Sequence, residues 1–136
     1  MVEQNTLERT PTRTFDKASD LPTSDRLIAS DRVTDTVVYN RDGEKLGSIK
    51  NFMVDKVSGR AQYAVMEFGG IFGIGSDFFP IPWDMLEYDT KQDGYVVDID
   101  EERLKDAPSF RDKQPTYDDT FGQRVYGHYG IVYPYA

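Results

Sequence analysis

Val38-Tyr39-Asn40-Arg41-Asp42-Gly43-Glu44-Lys45-Leu46-Gly47-Ser48-Ile49 opens the stretch that decides the fold, and that stretch runs on to Trp83. Asp55-Lys56-Val57-Ser58-Gly59, Tyr63-Ala64-Val65, Gly69-Gly70-Ile71-Phe72-Gly73-Ile74-Gly75 and Pro80-Ile81-Pro82-Trp83 follow in order. Apolar runs of strand length alternate with turn dipeptides, and no helical period of useful length separates them. The pattern predicts a mainly β fold, a small and tightly turned barrel. Gly43, Gly47, Gly59, Gly69, Gly70, Gly73, Gly75 and Gly94 are read as its turn glycines. Positive φ is expected at Gly43, Gly59 and Gly94.

Val37-Val38-Tyr39 reads as the first strand, and Asn40 to Gly43 as a turn. Lys45 to Asp55 is the next strand. Ile49 and Met53 share one phase and Phe52 and Val54 the other, so a bulge or bend near Asn51 is expected to reconcile them. Ala61 to Phe68 is apolar in both phases, which suits a central strand covered on two sides. Gly69 to Gly75 is too rich in glycine for a strand interior. Phe78 to Pro82 resumes extended structure, because a residue before proline is biased that way. Trp83 to Leu86 is a single turn. Beyond a hairpin turn at Lys91 to Gly94, Tyr95, Val97 and Ile99 alternate with Val96, Asp98 and Asp100, as on a strand with one wet face. Asp100 to Lys105 is a short helix with acids in its first turn. Asp118 to His128 is a second, capped by Asp118 or Asp119 and ended by Gly130.

Three regions follow. Residues 1–24 are polar and proline-interrupted, and are expected to lack stable structure of their own. Residues 25–110 form the barrel domain. Residues 111–136 are an aromatic extension, docked on the barrel or on a partner subunit.

The chain has 136 residues, 16 basic and 24 acidic, for a net charge of −8. An acidic surface repels a phosphate backbone, so direct nucleic-acid binding is not expected. There is no cysteine, which removes disulfides, thiolate metal sites and thiol catalysis. No apolar run reaches the ~18 residues of a membrane span, and a cytoplasmic location is the default.

Catalytic chemistry is sparse. Gly69-Gly70-x-x-Gly73-x-Gly75 is not a phosphate loop, since no Lys-Ser or Lys-Thr follows. His128 is the only histidine, and nothing fixes it with Asp118 and Asp119 as a metal site. Asp98 and Asp100 share a strand face, where alternating charge is ordinary. No enzyme activity, cofactor or metal is expected.

The residues from Leu27 to about Phe110 resemble the PRC-barrel family, named for the cytoplasmic domain of the photosynthetic reaction-centre H subunit. Val38-Tyr39-Asn40-x-x-Gly43-Glu44-x-x-Gly47-x-Ile49, Asp55-x-x-Ser58-Gly59, Gly69-Gly70-x-Phe72-Gly73-Ile74-Gly75, Ile81-Pro82-Trp83 and Leu104-Lys105-x-Ala107-Pro108 carry the likeness. Tyr126-x-x-Tyr129-Gly130 and Pro134-Tyr135 look like the ending of stand-alone bacterial members. Asn51 stands where the family often has Asp, and Asp35 where glycine is common. The resemblance implies a PRC-type β-barrel with short C-terminal helical segments, acting as an assembly module.

Large apolar side chains exceed what a small barrel encloses. Phe72, Ile74, Phe78, Phe79, Trp83, Tyr126, Tyr129, Tyr133 and Tyr135 are therefore the candidate interaction residues. The expected partner is a second copy, most simply in a dimer, or another protein. The alternatives are a small-ligand or sensor module, with a pocket between Trp83 and the C-terminal tyrosines, and a ribosome or RNA-processing accessory protein.

Overall fold

The computed structural model describes residues 27–68 and 76–135. Residues 1–24 and the glycines and apolar residues of 69–75, including Gly69, Gly70, Phe72, Gly73, Ile74 and Gly75, lie outside them. Leu27 is 88% exposed, and the core begins at Val33, on the short helix α1 (Ser30–Val33).

Six strands follow: β1 (Val37–Tyr39), β2 (Lys45–Val54), β3 (Ala61–Phe68), β4 (Asp77–Pro82), β5 (Glu87–Asp89) and β6 (Gly94–Val96). They form one sheet in the order β4-β3-β2-β1-β6-β5. All neighbours are antiparallel except β1 and β6, which are parallel. Among the described residues no ladder joins β4 to β5. A 3₁₀ turn, Trp83–Met85, spans that gap, and the Trp83 ring touches Phe52 of β2 at 5.6 Å and Tyr95 of β6 at 5.7 Å.

The strand faces follow from the register, because paired residues project from one side of a sheet. Ile49 and Phe79 flank Met66, while Phe52 and Ile81 flank Ala64, and these residues share the inner face. Ile49 and Phe52 are three apart, an odd spacing that would put them on opposite faces of a regular strand. The register slips between Ile49 and Asn51 and restores them to one side. This is the bulge the mixed phase calls for. Met53, Tyr63 and Pro82 share the outer face, as do Asn51, Val65 and Pro80.

Two glycines differ from expectation. Gly47 is not in a turn but within β2, where a Cβ would lie 2.2 Å from the Glu67 carbonyl oxygen of β3. Gly94 is not left-handed. Asp93 takes the positive φ of 54°, and Gly94 opens β6, where a Cβ would lie 2.6 Å from the Val37 oxygen. Both are glycine for closeness of backbones. Gly43 and Gly59 do adopt positive φ, 86° and 78°. Asp35 holds φ 72°, a conformation a short polar side chain tolerates.

The outer edge of β4 is closed to further pairing. Phe78 exchanges both backbone bonds with Phe110, at 2.8 and 3.0 Å, and the two rings stack at 5.5 Å. Two and four residues on, where N–H groups would point the same way, stand Pro80 and Pro82. Neither can donate. Among the described residues the other edge strand is β5, three residues with an acid at each end.

Two helices complete the fold. α2 (Glu101–Lys105) is capped by Asp100, whose side chain accepts from the Arg103 N–H, and it sends Leu104 into the core. α3 (Asp119–His128) is capped by Asp118, which accepts from the Phe121 N–H, and Gly130 follows it with φ 75°. α3 lies over the outer face. Phe121, Val125 and Tyr126 are buried, and the Tyr126 hydroxyl donates to the Gln62 carbonyl at 2.9 Å. The Tyr63 ring meets Tyr117, Phe121 and Tyr126 at 5.3, 6.4 and 5.8 Å.

Candidate functional site

The polar residues of the sequence motifs are engaged in building turns. Asn40 is buried. Its Oδ1 accepts from the backbone N–H groups of Asp42 and Glu44, both at 2.9 Å, and its Nδ2 donates to Glu44 Oε1 at 2.9 Å. Asp55 does the same in the next hairpin. Its Oδ1 accepts from Val57 and Ser58 N–H at 2.8 and 2.9 Å, and the Ser58 bond first, then that of Val57, holds the carboxyl below its usual range. These side chains fix the two left-handed glycines that follow them, Gly43 and Gly59.

His128 and Arg103 clamp two helix ends together. The Arg103 guanidinium donates to the His128 carbonyl at 2.7 Å, and His128 Nε2 lies 2.8 Å from the Arg103 carbonyl. Cationic side chains at helix C-termini satisfy carbonyls that lack partners. Among the described residues no group of three or more His, Cys, Asp or Glu side chains could hold a metal ion. Asp98 lies exposed, with Arg41 Nε 3.8 Å away, and Asp100 caps α2.

Of the candidate interaction residues, Phe72 and Ile74 lie outside the described residues. Phe79, Tyr126 and Tyr129 are 4%, 1% and 7% exposed, inside the chain's own core. Their bulk is absorbed by two layers, barrel interior and helix-covered outer face. Phe78, Trp83, Tyr133 and Tyr135 are half-buried. Tyr133 and Tyr135 fold back on Tyr126 at 5.2 and 6.2 Å, and do not meet Trp83 in any ring contact among the described residues.

Other apolar side chains stand out instead. Phe52 and Met53 are half-buried, Val54 is 45% exposed, and Val57, on the following turn, is 97% exposed. Phe52-Met53-Val54 is apolar in both phases at a strand end, a signal that the sequence itself carries. Phe52 lies on the inner face with its ring 5.6 Å from that of Trp83, Met53 lies on the outer face, and Val54 and Val57 leave an exposed apolar end to the β2–β3 hairpin.

A cleft of about 450 Å³ lies elsewhere, between the Asn40–Gly43 turn and β5. Arg41, Asp42, Glu87, Tyr88 and Asp89 line it. Burial, with a hydrogen bond to Asp93, pushes the Tyr88 hydroxyl up to about 12. Asp89 is held below its usual range by the Gln92 side chain and the Lys91 N–H.

The profile of the PRC-barrel domain matches residues 26–104, more than half of the chain. The chain belongs to the PRC-barrel family. No curated protein matches it. The match ends within α2, and the Phe110 bridge, the connecting segment, α3 and the C-terminal tyrosines of this PRC barrel lie beyond the matched residues. No helix among the described residues is long and apolar enough to cross a membrane.

Proposed function

We propose that this PRC barrel is a non-enzymatic assembly module, acting in the cytoplasm through protein–protein contact, and that it self-associates, most simply as a two-fold dimer. The apolar end of the β2–β3 hairpin carries this reading. Val54 and Val57, three residues apart at the end of that hairpin, stand in water. Exposed apolar clusters of this kind mark contact surfaces. Phe78 extends the candidate contact set on β4. The polar motif residues, bound into turns, support a role without catalysis, and the charge of −8 argues against nucleic acid as a direct partner.

Sedimentation velocity from about 1 to 100 µM tests the reading, since a specific interface of at least ~1,000 Å² should hold in that range. The expected result is a dimer that the double substitution Val54→Glu, Val57→Glu converts to a folded monomer, because unpaired charge is poorly tolerated in a desolvated contact. A clean monomer of the unmodified chain at tens of micromolar overturns self-association and leaves a foreign protein as the partner.

A small-ligand module is the second reading, favoured by the cleft between the Asn40–Gly43 turn and β5. Its mixed lining of Arg41, carboxylates and a tyrosine hydroxyl suits a small polar ligand.

A further inference from the structure

We infer that the C-terminal arm, residues 112–135, is a releasable strap that opens from the outer face of β3 and β4 as one unit while the barrel stays folded. The first observation is its attachment. The backbone bridge between Phe78 and Phe110 and the Arg111–Asp77 ion pair, at 2.9 Å, pin the chain to β4 just before the arm begins. Residues 112–116 then run without regular structure, all exposed except Pro115. A hinge is therefore present between a fixed point and α3.

The second observation is the quality of the seam. Among the described residues, the buried side-chain polar atoms without a hydrogen-bond partner are the hydroxyls of Tyr63, Tyr117, Tyr129 and Thr90. Three of these four sit where the arm meets the domain. Tyr63 projects from the sheet into the rings of Tyr117, Phe121 and Tyr126, and Tyr129 is buried at the end of α3 where Arg103 of α2 reaches across. A hydroxyl shut from water without a partner costs more than a typical paired one contributes. Opening the arm returns all three to water.

The third observation is how few polar bonds hold the seam among the described residues: Tyr126 to the Gln62 carbonyl, and the reciprocal Arg103–His128 contacts. The β2–β3 ladder, in contrast, runs from the Ser48–Glu67 pair to the Val54–Ala61 pair. Proteins open in contiguous units of unequal stability, and the strap is the weaker unit here. Its release uncovers Tyr63, Val65, Pro80 and Pro82, a face that the domain otherwise keeps covered.

Native-state amide hydrogen exchange on the full chain tests this. The α3 amides should exchange together, about 100-fold or more faster than those of the β2–β3 ladder. Tyr63→Phe and Tyr117→Phe remove an unpartnered hydroxyl each, and should slow α3 exchange about fivefold while leaving the ladder unchanged. Tyr126→Phe loses its bond to Gln62 and should speed α3 exchange by a similar factor. The inference is overturned if wild-type α3 exchanges no faster than the ladder. It is equally overturned if the Tyr63 and Tyr117 substitutions leave α3 unchanged or faster, or move helix and ladder alike. These readouts do not depend on whether the chain dimerises.

Discussion

Ala64 and Met66 of β3 point into the barrel, whereas Tyr63 and Val65, their immediate neighbours, point out beneath the arm. The inner face is closed by Ile49, Phe52, Phe79 and Ile81, with no polar side-chain atom among them. The outer face is closed by tyrosine rings, and its hydroxyls are only partly satisfied. Both bury large apolar area, and area is the main favourable term in each. They differ in what burial leaves unsatisfied. An apolar core gains nothing by re-exposure to water, while each orphaned hydroxyl does. One strand thus separates a permanent core from a conditional one.

The largest expected effects come from two glycines that meet that difference at nearly equal distance. A Cβ on Gly47 would lie 2.2 Å from the Glu67 backbone oxygen, and one on Gly122 would lie 2.3 Å from the Tyr133 ring. The first obstacle is a neighbouring strand held by its ladder, the second a side chain on the tail. Gly47→Ala should therefore cost about 3 kcal/mol, as overpacking does when neither partner can yield. Gly122→Ala should stay within about 1 kcal/mol globally, since Tyr133 can swing away and alanine favours the helix. Denaturant titration of both variants checks this. A Gly122→Ala loss as large as that of Gly47→Ala would show that the tail is as rigid as the ladder.

Alkaline pH should separate the faces next. Burial pushes Tyr117 up to about 12, and it raises Tyr63, Tyr126 and Tyr129 as well, with Arg103 opposing the rise at Tyr129. The unfolded chain ionises its tyrosines near ~10. The folded chain holds these protons more tightly, so their contribution to stability is full below that pH and is lost as pH rises through the folded values. The melting temperature should be flat from neutrality to about pH 10 and fall above it. Absorbance at 295 nm, followed beside far-ultraviolet circular dichroism, should show tyrosine ionisation before the sheet signal is lost. Simultaneous loss would join arm and barrel into one unit.

The inner face is largely legible in the sequence. β3 runs over the predicted Ala61–Phe68, and the Ile49–Phe52 phase conflict requires the bulge that is found. Local chemistry is legible in part: Asp118 caps its helix as expected, while Asp100, read as the first residue of its helix, is instead the cap before it. Glycine is harder to read, because a residue kept small for closeness looks the same as one kept for positive φ. Gly47 and Gly94 resemble turn glycines for that reason. β5 carries no strand signal, because Glu87-Tyr88-Asp89 holds one apolar residue between two acids. The outer seam is hidden by distance along the chain. Nothing near Tyr126 in sequence signals that it meets Gln62 and Tyr63, and its aromatic character reads as surplus for a partner.

The smallest effect sharpens the comparison most, because it applies one chemical change to both regions. Asp100 accepts from Arg103 N–H at 2.8 Å, and Asp118 accepts from Phe121 N–H at 2.9 Å. Replacing either with alanine removes one cap, worth about 1 kcal/mol. α2 carries Leu104, fully buried, into the barrel core, so Asp100→Ala should lower the global unfolding free energy by that amount. α3 belongs to the arm, and Asp118→Ala should instead raise α3 amide exchange about fivefold, with a smaller change in the global denaturant midpoint. The reason is linkage. If the arm is already open in the state from which the barrel unfolds, a cap within the arm contributes to closing it and not to that last step. Equal midpoint shifts from the two variants would show that arm and barrel come apart together. The two faces of β3 would then be one cooperative core despite their different chemistry.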